Sequence, residues 1–258
     1  MHTFDVTAVI NGHTEGLMAL SSLRSLARNA DTARLAGLKV ELIAILDKPD
    51  PLTLEVFQNF ANLRTDIRVE VVDMGDLGFA RNKAAALASG KWISFLDADD
   101  IWADRWLVEA FTAAENDPRQ VVWHPEVNVY FGARAHLFLH GDMDEPQFNI
   151  STLAYTNLWT ALAFVSAEFL RKTPYAGTNL KQNIGYEDWS WNIEVVNQGA
   201  IHKVVPGIAH AIRTKSVSLL SQTIAAGCIA HPTHFFRHVL DRRAGIASTK
   251  PDTNHPLS

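Results

Sequence analysis

Apolar positions in the first hundred residues switch regularly between two patterns. Residues 5–10 (DVTAVI), 40–46 (VELIAIL), 67–72 (IRVEVV) and 92–96 (WISFL) are short β-branched or apolar runs of strand length. Between them, apolar residues recur at helical spacing: Leu17, Leu20, Leu23, Leu26 and Ala27 in 16–36, then Leu54, Val56, Phe57 and Phe60 in 52–63. An Ala-rich stretch follows over 79–88. Continuous apolar strands separated by helices predict an α/β fold with a doubly wound, mostly parallel sheet. Ligands of such sheets sit at the carboxyl ends of the strands, which puts Asn11, Asp47, Asp73 and Asp97 along one rim.

After residue 100 the pattern loosens. Residues 121–131 (VVWHPEVNVYF) predict a strand interrupted at Pro125, and 159–165 (WTALAFV) is strand-like. A helix is predicted over 189–198, ending near Gly199, with a short strand over 202–205. Residues 218–243 read as helical pieces broken at Pro232, and 247–258 as a polar tail that could link to more chain. The resulting division is a domain over 1–215, in which a regular first half (1–100) is followed by a second half (101–215) that builds the rest of the cleft. A C-terminal extension covers 216–258.

Composition narrows the classes. The 258 residues carry a net charge of −5, with 47% hydrophobic and 20% charged residues, which suits a folded chain with a substantial core. A sequence pI near 6.1 disfavours a general nucleic-acid binder. One cysteine, Cys228, excludes a disulfide scaffold and a cysteine-based zinc site. Without a leader-like N-terminus or a bilayer-length apolar run, the expectation is a cytoplasmic protein.

The sharpest chemical feature is Asp97-Ala98-Asp99-Asp100 at the end of an apolar strand. Like charges this close repel, so a cation should balance them, and an oxygen-liganded Mg²⁺ or Mn²⁺ that also grips a diphosphate fits. A solvated acidic turn before the next helix is the plainer alternative. Gly78-Phe79-Ala80-Arg81-Asn82-Lys83 opens a helix whose N-terminus and basic residues could hold an anion. Asp188, just before a predicted helix at Trp189, reads on spacing as a capping aspartate or as a catalytic carboxylate.

Together, GFARNKAAALASGKWISFLDADDIW, the opening DVTAVINGHTEG, LIAILDKPD and the later GYEDWSWNIEVVNQG resemble the family 2 glycosyltransferases of GT-A fold. The resemblance covers about residues 5–215 and makes 1–100 the nucleotide-binding half and 101–215 the acceptor/catalytic half. It implies a metal-assisted, inverting transfer of a sugar from a nucleotide-diphosphate donor to a hydroxyl of a glycan or lipid-linked saccharide. Under it, Asn11, Asp47 and Asp73 contact the nucleoside, with Gly78, Arg81 and Asn82 lining the same pocket. Asp97 lies near the ribose or the metal, Asp99 ligates the metal, and Asp100 orients its neighbours or touches the sugar. Asp188 is the general base, with Glu187 its rival. The first loop (Ile10-Asn11-Gly12-His13), the Asp47-Lys48-Pro49-Asp50 segment and Lys83 depart from the family pattern where the base would sit, leaving the nucleotide open.

Other features carry weaker expectations. His210 is a candidate third metal ligand or diphosphate donor, and Arg213 and Lys215 could neutralise phosphate; a mixed surface loop is the alternative. Trp159, Trp189 and Trp191 could offer a sugar-stacking platform or simply pack. Asp142-Met143-Asp144 reads as a solvated turn. His231, His234 and His238, with Arg237, Arg242 and Arg243, suggest a surface helix, a metal cluster or a basic peripheral contact with the inner face of a membrane. A nucleotidyltransferase is disfavoured because 8–16 lacks a basic triphosphate loop, and a non-catalytic sugar-binding scaffold because the acids are all present.

Overall fold

The computed structural model describes residues 2–215 and 219–231. Its frame is one eight-stranded sheet crossing the whole described chain. The strands are β1 (Phe4–Gly12), β2 (Val40–Asp47), β3 (Ile67–Val72), β4 (Gly90–Asp97), β5 (Val121–Gly132), β6 (His136–Leu139), β7 (Phe164–Ser166) and β8 (Ile201–Thr214). Their order is β3-β2-β1-β4-β7-β5-β6, with β8 also on β5. The first four are mutually parallel, β7 runs against β4 and β5, β6 runs against β5, and β8 lies parallel to β5.

Helices cover both faces: α1 (Ala19–Leu35), α2 (Pro51–Leu63), α3 (Leu77–Leu87), α4 (Trp106–Asn116), α5 (Ala167–Lys172), α6 (Glu187–Asn197) and α7 (Leu219–Ala225). Strand alternation splits the interior. Val6, Ala8 and Ile10 join Leu23, Leu26 and Trp106 in one cluster. Val9, Ile43, Ile45, Ile93 and Phe95 pack with Ala80 and Ala84 of α3 and Trp191 of α6 in the other. Asn11 and Asp97, adjacent in register, continue this second series and therefore emerge on the α3 side of the rim.

Local chemistry fixes the helix starts. Asp50 caps α2 through the Thr53 N–H at 2.8 Å, with Pro51 in the first turn, and Asp76 caps α3 through the Phe79 N–H at 3.0 Å. β4 can begin beside β1 only because residue 90 is glycine: a Cβ there would stand 2.5 Å from the Thr7 nitrogen.

Three expectations in the second half change. Pro125 does not interrupt β5; a register shift against β8 at Pro125/Val127 absorbs the missing N–H. The strand expected over 202–205 runs on to Thr214. Pro206 and Gly207 form an exposed bulge, and the Gly207 N–H donates to Glu126 Oε2 at 2.6 Å. The strand-like 159–165 is ordered only from Phe164, with Trp159 and Leu162 buried in irregular backbone. Strand β6 and helix α5 were not expected. Among the described residues no helix is long and apolar enough to cross a membrane. The expected basic surface around His234, Arg237, His238, Arg242 and Arg243 lies outside the described residues.

Candidate active site

The carboxyl ends of β1–β4 form the rim. Asn11 is 5% exposed, and its Oδ1 and Nδ2 are both buried without a hydrogen-bond partner among the described residues. An amide left with both groups unmet is costly unless a ligand completes it. Asp47, at the tip of β2, spends its carboxylate on the backbone: it accepts from the N–H groups of Met74 (2.7 Å), Gly75 (3.1 Å) and Asp76 (3.2 Å). It thereby shapes the loop before α3. Asp73 is exposed and pairs with Lys48 at 2.9 Å.

The α3 residues are tied to neighbouring elements. Asn82 donates to the Tyr175 carbonyl (2.9 Å) and accepts its N–H (2.8 Å), so its amide clamps the backbone at Tyr175. Gly78 allows close packing: a Cβ would meet Asp76 Oδ1, Ala176 O and Tyr175 Cβ at 3.1 Å. Arg81 is 1% exposed. Its Nη2 donates to both oxygens of Asp97 at 3.2 Å, and its Nη1 to Glu187 Oε1 at 3.1 Å. Burial opposes this charge, but the surrounding carboxylates outweigh it and hold the guanidinium charged. One buried cation thus joins the acid at the tip of β4 to the first residue of α6.

The acidic turn is closed by the end of β8. Lys215 Nζ stands 2.7 Å from Asp99 Oδ2 and 3.7 Å from Glu15 Oε1. Asp100 is buried and accepts the Arg213 N–H at 2.7 Å. Burial and the neighbouring Asp97 and Asp99 charges push its carboxyl well above the ordinary range. Asp99 is also raised, by burial foremost, with Lys215 opposing. The Arg213 guanidinium lies 4.6 Å from the Phe131 ring centre.

His210 is a correction. It is fully buried in the core, edge-on to Trp106 with ring centres 4.8 Å apart. Its Nδ1 accepts the Ala103 N–H at 3.2 Å, which leaves its proton on the enclosed Nε2. Burial drives its pKa to about 3, so the ring is neutral packing and has no lone pair at the rim for a metal.

Helix α6 brings in the other acids. Tyr186, immediately before it, has φ 56° and ψ 62°, a left-handed conformation that a tyrosine rarely adopts. Glu187 and Asp188 then occupy the first turn, where the helix dipole favours negative charge. Asp188 is the second residue of α6 and not its cap, a position Tyr186 holds without a side-chain bond; its Oδ1 accepts the Trp189 N–H at 2.7 Å, and Oδ2 accepts from Asn157 Nδ2 at 3.0 Å. Burial, and then the neighbouring Glu187, raise Asp188 to about 7 despite Arg81.

Tyr130, which the sequence did not single out, has its hydroxyl pushed to about 12 by burial and by the charges of Asp188 and Asp100, so both acids lie near it. Glu15, Asp76 and Asn157 were also missed. Of the tryptophans, Trp159 and Trp191 are core. Trp189 meets Tyr186 edge-on and lines an apolar cavity of about 330 Å³ with Ile193, Ile229 and His231. Asp144 is paired with Arg119 and Lys203, and Asp142 Oδ2 accepts the Val204 N–H, so this acidic turn is structural.

A divalent cation is tested by the donor set. Among the described residues no group of three or more His, Cys, Asp or Glu side chains could hold a metal by itself. Asp99 and Glu15 nevertheless gather around an ammonium, so the rim accepts a cation at that point. One or two carboxylates fit an ion whose other ligands are substrate phosphates and water, the usual way Mg²⁺ or Mn²⁺ binds a nucleotide.

Comparisons with known proteins agree with this architecture. No curated protein sequence matches the chain significantly. Among solved structures, S. aureus TarS in complex with UDP-GlcNAc superposes with a TM-score of 0.61 at 17% identity, over 84% of this chain and 60% of that one. GalNAc-T7 with UDP, GalNAc and Mn²⁺ gives 0.61 at 17% identity, over 86% and 47%. The mannosyltransferase PcManGT from Pyrobaculum calidifontis, with GDP-Man and Mn²⁺, gives 0.59 at 16% identity, over 95% and 70%. This chain therefore spans 60% of that TarS chain and about half of GalNAc-T7, and at these identities the likeness is one of fold. The glycosyl transferase family 2 model matches residues 8–170. With well over half its length matched by that model, and with the GT-A sheet and acidic rim in place, the chain belongs to glycosyl transferase family 2.

Proposed function

We propose that this chain transfers a sugar from a nucleoside-diphosphate donor to an acceptor hydroxyl, with inversion at the anomeric carbon. The observation that carries the reading is the buried Arg81 bridge, which ties Asp97 at the rim to the Glu187–Asp188 turn. It couples a donor-side acid to Glu187, the residue next to Asp188, whose carboxyl burial raises to about 7; a donor-side acid and a base are the two parts a displacement needs.

In that reaction Asp188 takes the acceptor hydroxyl proton. The acceptor oxygen bonds to the anomeric carbon while the bond from that carbon to the phosphate oxygen breaks. The nucleoside diphosphate leaves with the electron pair. Glu187 is committed to Arg81 and is the weaker candidate for base. Asn11, with its unmet amide, is the strongest nucleoside contact. Asp47 acts on the nucleoside through the loop it shapes, and Asp73 stands at that loop's exposed edge. Arg213 and Lys215 flank the acidic turn and offer positive charge to the diphosphate. Asp97 and Asp99 would hold a divalent cation, which when bound neutralises the leaving diphosphate as a Lewis acid. Mg²⁺ and Mn²⁺ both suit these oxygens; a glycan or lipid-linked saccharide is the proposed acceptor.

Calorimetric titration with UDP, GDP and their sugars, with and without Mn²⁺, tests the reading. We expect one nucleoside diphosphate to bind, more tightly with the metal, and its sugar to be slowly hydrolysed. No binding by any of them overturns the reading.

A further inference from the structure

A chain of two asparagines ends on Asp188. Asn192 lies one helical turn after Asp188, on the same face of α6, and is 1% exposed. Its Nδ2 donates to Asn157 Oδ1 at 2.9 Å and to the Trp159 carbonyl at 3.0 Å. The Trp159 N–H also points at Asn157 Oδ1, at 3.4 Å. An oxygen that receives N–H groups from two sides fixes which way the Asn157 amide faces. The flipped amide would set donor against donor and its oxygen against a carboxylate. The remaining Asn157 Nδ2 therefore points at Asp188 Oδ2, at 3.0 Å, while Oδ1 is held by the Trp189 N–H at 2.7 Å. Each oxygen of the carboxylate is thus held from a different element.

We propose that Asn157, locked by Asn192, is the positioning residue for the base of the transfer: it sets the plane of the Asp188 carboxylate and stabilises its charged form. The proposal rests on the reading of Asp188 as base. A neutral amide suits this task. It donates without adding charge, so it favours the carboxylate over the acid without pairing the anion so strongly that it stops accepting protons. An Arg or Lys at 157 would bind the anion harder and weaken it as a base. The irregular backbone over 157–163 follows from the same arrangement, because the Trp159 N–H and carbonyl both serve the two asparagines instead of a strand.

The test uses the full chain with N157A and N157S, and with N192A, which breaks the lock without touching Asp188. Three quantities are read: the Asp188 carboxyl titration by ¹³C NMR, assigned with D188N; nucleoside-diphosphate affinity by calorimetry; and the pH profile of UDP- or GDP-sugar hydrolysis. In N157A we expect the Asp188 titration and the acid limb of kcat to rise together by about one pH unit, and plateau kcat to fall about 10- to 100-fold. Nucleoside-diphosphate affinity should stay within about twofold. N157S, which keeps a donor, should recover part of the plateau, and N192A should shift the same quantities by less. An unmoved Asp188 titration in both N157A and N192A overturns the clamp. A moved titration with an unmoved rate profile overturns Asp188 as base, and with it the catalytic part of the proposal.

Discussion

The half of the sheet built from β1–β4 and the half that follows solve burial differently. The first is a stack of parallel strands with Val, Ile, Leu and Ala on both faces, and most of its chemistry is held at the strand tips. The second buries polar rings in its interior. All four buried histidines among the described residues, His124, His140, His202 and His210, lie beyond Asp97. His124 Nε2 and His202 Nδ1 are 2.9 Å apart, and the His202 ring stacks on Trp159 at 3.8 Å. The first half is therefore an apolar shelf, whereas the half that carries Asp188 encloses a histidine-rich, hydrogen-bonded interior.

The largest test of this contrast is D188N. On the proposed role of Asp188 as base, D188N should cut kcat by about 10²–10⁴-fold with little change in nucleoside-diphosphate affinity, read by donor hydrolysis and calorimetry. A parallel collapse of binding would place Asp188 on the donor side of the divide. Next, R81M should destabilise the fold by about 3–5 kcal/mol in urea denaturation, because two carboxylates lose their buried partner. A change below 1 kcal/mol would mean the two halves are not joined through Arg81.

Acid should find the second half first. His140, His202 and His210 are held at about 4, 3 and 3 by burial, and His124 well below its usual value, against about 6.5 in the unfolded chain. A base with a depressed native pKa binds its proton more readily when unfolded. Its contribution is complete above pH 6.5 and is lost as pH falls towards 3–4, each group costing about 1.4 kcal/mol per pH unit. Melting temperature should therefore drop below pH 6.5, with amide exchange rising around β5 and β8 before β1 and β2. Uniform loss across the sheet would erase the contrast.

Removing the Lys215 charge should be milder: K215A should weaken metal-free nucleoside-diphosphate binding by about 10- to 100-fold, as expected for one lost charge-assisted contact. The smallest effect concerns stability at Asp188. Its native pKa of about 7 exceeds its unfolded value, so the native state is favoured at low pH and that contribution is lost as pH rises from about 4 to 7. At pH 8, D188N should therefore be more stable than the parent by on the order of 1 kcal/mol, measured by urea denaturation.

The same divide explains what the sequence made legible. Strands β1–β4 and helices α1–α3 could be read to within a few residues because period-2 and period-3.6 patterns follow each other with short links. The rim acids followed from the strand ends alone. The 202–205 reading stopped short of the end of β8 at Thr214; Pro206 and Gly207 are unusual inside a strand, and only pairing with β5 shows the strand continuing past them. That error carried His210 with it. Had the strand been extended to Thr214, alternation would have grouped His210 with Ile208 and Ile212, and Arg213 with Lys215 on the opposite side. Asn192 left a readable signal, four residues after Asp188 on one helix. Asn157 left none, since its role exists only once distant segments meet. Arg81 and Asn82 are adjacent in sequence yet divide into an ionic bridge and a backbone clamp, a distinction only the Tyr175 segment reveals.

The guanidinium shared between Asp97 and Glu187 has an evolutionary corollary. Swapping the Asp97–Asp100 turn for that of another family member would import a foreign charge pattern on one side of Arg81 while leaving Glu187 on the other. Grafts made to retune sugar choice should accordingly succeed only when both flanks travel together, so that the acidic turn and the start of α6 are inherited as a single module despite the 90 residues between them.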